Sequence, residues 1–269
     1  MSRLTVFSVI RNGIQNGYPF IEAYASWFGY CDRVLVVDGE STDGTDVVLD
    51  ELAKIDPCFS FISRPWPDDG RGGQAIAKQT NAALALASDG ADRVMYVQAD
   101  EIYTESQRRL VQEWVNGALE FRGCVNFWNS LDTVLANDFP MRYIRLLVAG
   151  AGARSIADGF SFDLGETPIT RLDEDILHYG WCFPVNILQK HVSHAGLYSD
   201  QPVYRTRGRL ARLMLAQRVF DRRLLNALEP EYRPVPFEGE HPECMRHLLG
   251  AEVYDPYTGL ELLDRGVRW

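Results

Sequence analysis

Residues 92 to 101, Asp-Arg-Val-Met-Tyr-Val-Gln-Ala-Asp-Glu, constrain the fold more than any other stretch. Val94 to Gln98 is mostly apolar, β-branched or aromatic and free of Gly and Pro, which predicts a buried strand. The strand runs straight into two carboxylates, Asp100 and Glu101. In an open α/β sheet, ligands bind just past the carboxyl ends of strands. Paired acids there suit a hard divalent cation, and such a cation suits a phosphate.

The segments before it alternate in the manner of a parallel sheet. Leu4 to Ile10 predicts a first strand ending at the turn Arg11-Asn12-Gly13, and Tyr18 to Tyr30 has helical spacing. Arg33 to Val37 predicts a second strand, so strand, helix and strand imply a parallel crossover. This strand ends at Asp38, and Ser41, Thr42 and Asp43 are N-cap types for a helix from Thr45 to Lys54. Cys58 to Ser63 predicts a third strand. The Gly- and Pro-rich loop from Arg64 to Gly73 lacks both the Gly-Lys-Ser/Thr of a P-loop and dinucleotide glycine spacing, and is assigned to the substrate side. Gln74 to Ala87 predicts a helix carrying Lys78 and Asn81.

Beyond Glu101 a helix is predicted from Thr104 to about Phe121, then strands at Cys124 to Trp128 and Arg142 to Val148. Long loops at 129–140 and 149–167 point to function. Asp175 to Trp181 reads as a last strand with His178 near its end, and Pro184 to His194 as a helix. Arg205 to Leu228 reads as one longer helix with Leu210, Leu213, Met214, Phe220, Leu224 and Leu228 on an apolar stripe. The expected organisation is one α/β domain over residues 1–200, with a helical and irregular extension, 201–269, packed on it.

A chain of 269 residues can bury a sizeable core. Net charge of −10 disfavours wholesale nucleic-acid binding. The five cysteines are odd in number and lack zinc-ligand spacing, so reduced thiols and a cytoplasmic location are expected. No apolar run is long enough to cross a bilayer.

These pieces resemble family-2 glycosyltransferases of the GT-A fold, in a bacterial and phage branch. Val-Val-Asp38 followed by Gly-Glu-Ser-Thr-Asp-Gly-Thr looks like their nucleotide-binding segment, and Lys78-x-x-Asn81-x-Ala83 like a helix of the same enzymes. Gln98-Ala-Asp100-Glu101 stands where they carry an Asp-x-Asp metal motif, and His178-Tyr-Gly-Trp181, with Lys190 after it, is similar to a His-Tyr-Gly/Ser-Trp segment. Two positions depart: Gln98 replaces the first Asp of the metal motif, and Gly39 stands where many relatives have a second Asp.

The resemblance implies a mostly parallel, Rossmann-like sheet flanked by helices. It implies a UDP- or other nucleotide-diphosphate-sugar donor, Mn²⁺ or Mg²⁺ across the diphosphate, and hexosyl transfer to an acceptor hydroxyl with inversion. Acceptors in view are a glycan, a lipid-linked sugar or modified DNA. Asp100 fits a metal ligand or a helix N-cap, and the ligand role is preferred. Glu101 is placed behind it. His178, by residue type alone a hydrogen-bonded imidazole, becomes a second ligand through the resemblance. Asp38, Lys78, Asn12 and Gln98 are expected at the donor. Inversion needs a carboxylate base; of Asp158, Asp163, Asp173 and Asp175, Asp158 is chosen. His241 is expected to close over the site. The arginines of 205–223 form either a solvated face or a contact for an anionic acceptor. Two rivals remain: a nucleotidyltransferase on a similar sheet, and a non-catalytic sugar-nucleotide or glycan-binding protein.

Overall fold

The computed structural model describes residues 2–67, 73–136, 142–156, 159, 161–219, 222–229 and 233–269. Its first half alternates as expected. β1 (Leu4–Ile10) leads through α1 (Gly13–Asn16) and α2 (Phe20–Ala25) to β2 (Arg33–Asp38). α3 (Thr45–Ile55), β3 (Phe59–Ser63), α4 (Gly73–Ser88) and β4 (Arg93–Tyr96) follow. Then come β5 (Glu101–Ile102), α5 (Glu105–Glu113), β6 (Ala118–Phe121), β7 (Gly123–Trp128), β8 (Thr133–Leu135) and β9 (Tyr143–Val148). Four short or late strands follow: β10 (Arg154–Ile156), β11 (Ser161–Asp163), β12 (Ile169–Arg171) and β13 (Asp175–Trp181). The C-terminal part holds α6 (Pro184–Leu197), α7 (Pro202–Ala216), α8 (Arg222–Leu228), β14 (Pro234–Pro236) and α9 (Pro256–Asp264).

Among the described residues the main sheet has seven strands, in the order β12-β6-β9-β4-β1-β2-β3. β1 pairs in parallel with both β2 and β4, and β2 with β3. β9 runs antiparallel to β4 and β6. The fold is therefore mixed α/β, with a mostly parallel central sheet flanked by helices, as expected. Strands β1, β2 and β4 are apolar almost throughout because both faces are covered. A second sheet, β14-β8-β7-β13-β5, stands beside the first. β5 leaves the end of β4 and pairs antiparallel with β13 in the register His178↔Glu101. That register carries His178 to the end of β4.

Several boundaries move for identifiable reasons. The helix expected to Tyr30 stops at Ala25, and i→i−3 bonds from Trp27 and Phe28 tighten the chain around fully buried Trp27. The helix expected to Phe121 ends at Glu113. Arg93 donates to the Val111 carbonyl at 2.7 Å and the Gln112 carbonyl at 3.0 Å, taking its last acceptors. A left-handed Gly117 then turns the chain into β6. The single helix expected from Arg205 becomes α7 and α8. Of the expected stripe, Leu228 is buried and Met214 packs on the same cluster, Leu210, Leu213 and Leu224 lie outside, and Phe220 is outside the described residues; Arg207, Gly208 and Ala211 face inward.

The tail returns to the main core. Cys244, Met245, Leu248, Tyr254, Leu260 and Leu263 share one buried cluster with Ile21 and Tyr24. All five cysteines are free thiols. No described helix is long and apolar enough to cross a membrane.

Candidate functional site

The site is assembled at the carboxyl ends of β1, β2 and β4. The segment after β2 folds as a network of short polar side chains. Ser41 donates to Asp38 through its backbone N–H (3.0 Å) and its hydroxyl (2.5 Å). Asn12, in the left-handed region at φ 52°, donates its backbone N–H to Ser41 Oγ and accepts from the Thr42 N–H, both at 2.8 Å. Asp43 accepts from the Gln15 N–H at 2.7 Å and from the Thr45 N–H at 3.1 Å. Gly44, not a side chain, occupies the N-cap position of α3. Asp38 and Asn12 thus lace the first two loops together, and Asp38 is fully buried in doing so.

The glycine at position 39 has a steric reason. A Cβ there would meet the Trp66 ring at 2.5 Å, and the Arg11 guanidinium lies 5.7 Å from that ring's centre. Trp66 packs against Gly39 because no side chain intervenes. The Arg64 N–H donates to the Asp38 carbonyl at 2.8 Å, so β3 hands the chain directly to this wall. Arg64, Trp66, Lys78, Asn81 and Arg154 line a cavity of ≈ 960 Å³. Lys78 is exposed on α4. One turn later Asn81 clamps β10, accepting from the Ser155 N–H at 2.8 Å and donating to its carbonyl at 3.0 Å.

Asp100 lies at the centre, 6 % exposed. Its Oδ2 is 3.4 Å from His178 Nε2 and 3.4 Å from Lys190 Nζ. Burial raises its pKa, but the charges and hydrogen bonds of His178 and Lys190 outweigh this and hold it well below the usual carboxylate range. Burial pulls the Lys190 ammonium down, against the attraction of Asp100. Lys190 also donates to the Gly180 carbonyl at 2.8 Å and sits 4.5 Å from the ring centres of both Tyr18 and Trp181. Gly180 makes the room: a Cβ there would lie 2.3 Å from Asp100 Oδ2 and 2.7 Å from Lys190 Nζ.

Whether a divalent cation fits can be judged from these atoms. A carboxylate oxygen and an imidazole nitrogen 3.4 Å apart can share one ion, and both donor types suit Mn²⁺. His178 Nδ1 is buried without a partner. No group of three or more His, Cys, Asp or Glu gathers among the described residues. The pair therefore fits a cation whose remaining ligands come from phosphate and water, the usual habit of Mg²⁺ and Mn²⁺.

Glu101 is fully buried. Its carboxylate is 2.6 Å from Arg145 Nη2, with both side chains fully buried, and it accepts from Tyr103 Oη at 3.1 Å. The Gln98 backbone N–H donates to Glu101 Oε2 at 3.2 Å. Asp158 lies outside the described residues. Its neighbour Gly159 is held by Arg145, which donates to the Gly159 carbonyl at 3.3 Å. His241 does not cap the site. Its Nδ1 is 2.9 Å from Tyr179 Oη, within a cluster of Phe127, Tyr179 and Phe237. The sequence assigns no role to Lys190, Gly180, Tyr18 or Trp66. A Gly inside a strand pattern, as at 180, is the signal that marks a close approach.

No family model matches the sequence, and no curated protein matches it. Solved structures resemble the fold at low identity. TarS of S. aureus is 13 % identical with a TM-score of 0.39; the match covers 72 % of this chain and 39 % of that one. Glucosyl-3-phosphoglycerate synthase of Mycobacterium tuberculosis, in complex with Mn²⁺, UDP-glucose and phosphoglyceric acid, is 13 % identical with a TM-score of 0.41, covering 73 % and 80 %. The mannosyltransferase PcManGT of Pyrobaculum calidifontis, in complex with GDP-Man and Mn²⁺, is 17 % identical with a TM-score of 0.38, covering 97 % and 85 %. Likeness at this level assigns no family, and the chemistry of the site stands on its own geometry.

Proposed function

We propose that the chain is a metal-dependent glycosyltransferase of hexosyltransferase type, moving a sugar from a nucleotide-diphosphate donor to an acceptor hydroxyl with inversion. The observation that carries this is the convergence of Asp100, His178 and Lys190 at the end of β4. It lies beside the loop network of Asn12 and Asp38, at the edge where an α/β sheet binds nucleotides. The developing charge of a nucleoside-diphosphate leaving group needs compensation by fixed positive groups. Asp100 and His178 would hold Mn²⁺ or Mg²⁺, which supplies Lewis-acid stabilisation of the diphosphate. Lys190 adds a fixed ammonium on the same side. Asp38, Asn12, Gln98 and Lys78 are assigned to the donor, and Asp158 to the base.

The test is calorimetric titration of nucleoside diphosphates and their sugars with and without Mn²⁺, followed by product analysis. Metal-dependent binding with slow release of nucleoside diphosphate supports the transferase. Release of pyrophosphate would make it a nucleotidyltransferase, and binding without turnover a binding module. Asp100→Ala should abolish metal-dependent binding, and unchanged binding in that variant removes Asp100 from the site. His178→Ala should weaken the Mn²⁺ requirement, and an identical metal titration reassigns that histidine to packing.

A further inference from the structure

The C-terminal helices present a face that the site does not use. α7 approaches α6 through small residues: a Cβ on Gly208 would lie 2.3 Å from Ala195 Cβ, and Ala211 is fully buried. Arg207 is also turned inward, donating to Glu229 at 2.8 Å and to the Leu228 carbonyl at 2.9 Å. These contacts fix which side of α7 meets solvent. On that side Val203, Leu210 and Leu213 are 46 %, 46 % and 58 % exposed. Spacings of seven and three place them in one stripe. Arg205, Arg209 and Arg212, spaced four and three, are exposed in a second stripe beside it.

Single exposed leucines are ordinary. The combination here is not. Residues 202–228 hold seven arginines against one acid, Asp221, in a chain whose net charge is −10. α7 contains no Asp or Glu. A solvated helix face usually mixes both signs of charge. A nucleic-acid contact would use the arginines but leave the leucines without a role. An apolar stripe flanked by arginines suits the boundary between lipid headgroups and acyl chains, where leucines enter and guanidinium groups reach the phosphates. The acidic excess of the rest of the chain would orient this face toward a negative surface.

We propose that the exposed face of α7 docks the protein reversibly on an anionic lipid bilayer. The proposal does not depend on the activity assigned above. It places the site one helix from the surface, because α7 packs on α6 and α6 carries Lys190.

The experiment is flotation of the full chain with vesicles of phosphatidylcholine alone, or of phosphatidylcholine mixed with phosphatidylglycerol, at low and high salt. Protein should float with the mixed vesicles roughly ten-fold more than with the neutral ones, and salt should reduce this. The double variant L210Q/L213Q and the triple variant R205Q/R209Q/R212Q should each lose most of the binding. Their thermal midpoints should be unchanged, since every altered side chain is exposed. Absence of flotation, equal flotation with neutral vesicles, or retention by the arginine variant overturns the proposal. So does duplex DNA binding without vesicle binding. A concentration-dependent dimer that L210Q/L213Q dissociates, with no vesicle binding, assigns the face instead to a second copy and overturns it too.

Discussion

Gly180 carries the sharpest consequence at the scale of one residue. An added methyl would lie 2.3 Å from Asp100 Oδ2 and 2.7 Å from Lys190 Nζ. The lysine end can swing aside, but the aspartate is short and lies on the ordered turn after β4. Gly180→Ala should therefore leave the fold intact and spoil the proposed cation site. We expect a thermal midpoint within a few degrees of the parent and a loss of roughly ten- to a hundred-fold in Mn²⁺-dependent nucleotide affinity, the range seen when groups supporting a metal's ligands are displaced. Calorimetry on the same sample as the melt decides it; unchanged affinity would mean that Asp100 and Lys190 do not act where the geometry places them. The sequence marks Asp100 because a strand running into acids is a local pattern. It could not give Lys190 a role, since that residue reaches Asp100 from α6, ninety positions away, through space that Gly180 leaves open. For the same reason Gly39 reads as a departure in the sequence, while in the fold it is the surface on which Trp66 rests.

At the scale of elements, the buried pair Arg145–Glu101 ties β9 to the β4–β5 junction and, through Gly159, to the loop before β11. Both side chains are fully buried, so removing one partner strands a charge. Arg145→Met should cost about 3–5 kcal/mol of stability, measured by urea unfolding, whereas the double change with Glu101→Leu should recover much of it. If the single variant loses under about 1 kcal/mol, the pair is not the brace described. A second element-scale effect concerns α6. Burial, with Arg207 and Lys190 nearby, lowers the His191 pKa to about 4, and its Nε2 is buried without a partner. A depressed histidine pKa means that the unfolded chain binds the proton first. Stability should thus fall as pH drops from about 6.5 toward 4, by up to about 3 kcal/mol at the low end. His191→Phe should flatten that slope in unfolding measurements; an unchanged slope would assign it to other groups. The parallel strands are legible in the sequence because strands covered on both faces are continuously apolar. The helix ends are not, because Arg93 from β4 terminates α5 and close packing around Trp27 terminates α2. The leucine stripe of α7 misleads in a further way: large apolar residues suggest a packing face, but small Gly208 and Ala211 let α6 come closer and claim the contact.

At the scale of the whole molecule, the tail from Cys244 to Leu263 packs into the main buried cluster. Glu22 on α2 is fully buried, and its carboxylate accepts from Tyr254 Oη at 2.9 Å and lies 3.0 Å from His247 Nε2. Asn186 on α6 joins the same seam, donating to the Ile14 carbonyl at 2.8 Å and accepting from the Tyr254 N–H at 3.0 Å. The sequence shows this tail as Pro-rich and irregular because its apolar residues fill separate gaps in the main cluster and so follow no period. Its packing predicts cooperative behaviour. Heating should give one calorimetric transition in which tail and sheet melt together. Tyr254→Phe leaves the Glu22 carboxylate short of a donor in an apolar setting, which should cost about 1–3 kcal/mol. That loss should lower the midpoint by roughly 2–4 °C per kcal/mol for a chain of this size. Ending the chain after Pro242 removes Tyr254, His247 and the apolar plugs at once, and should leave a protein without a cooperative transition. A truncated chain that still melts sharply, or an intact chain that melts in two steps with the tail first, would show the seam to be dispensable.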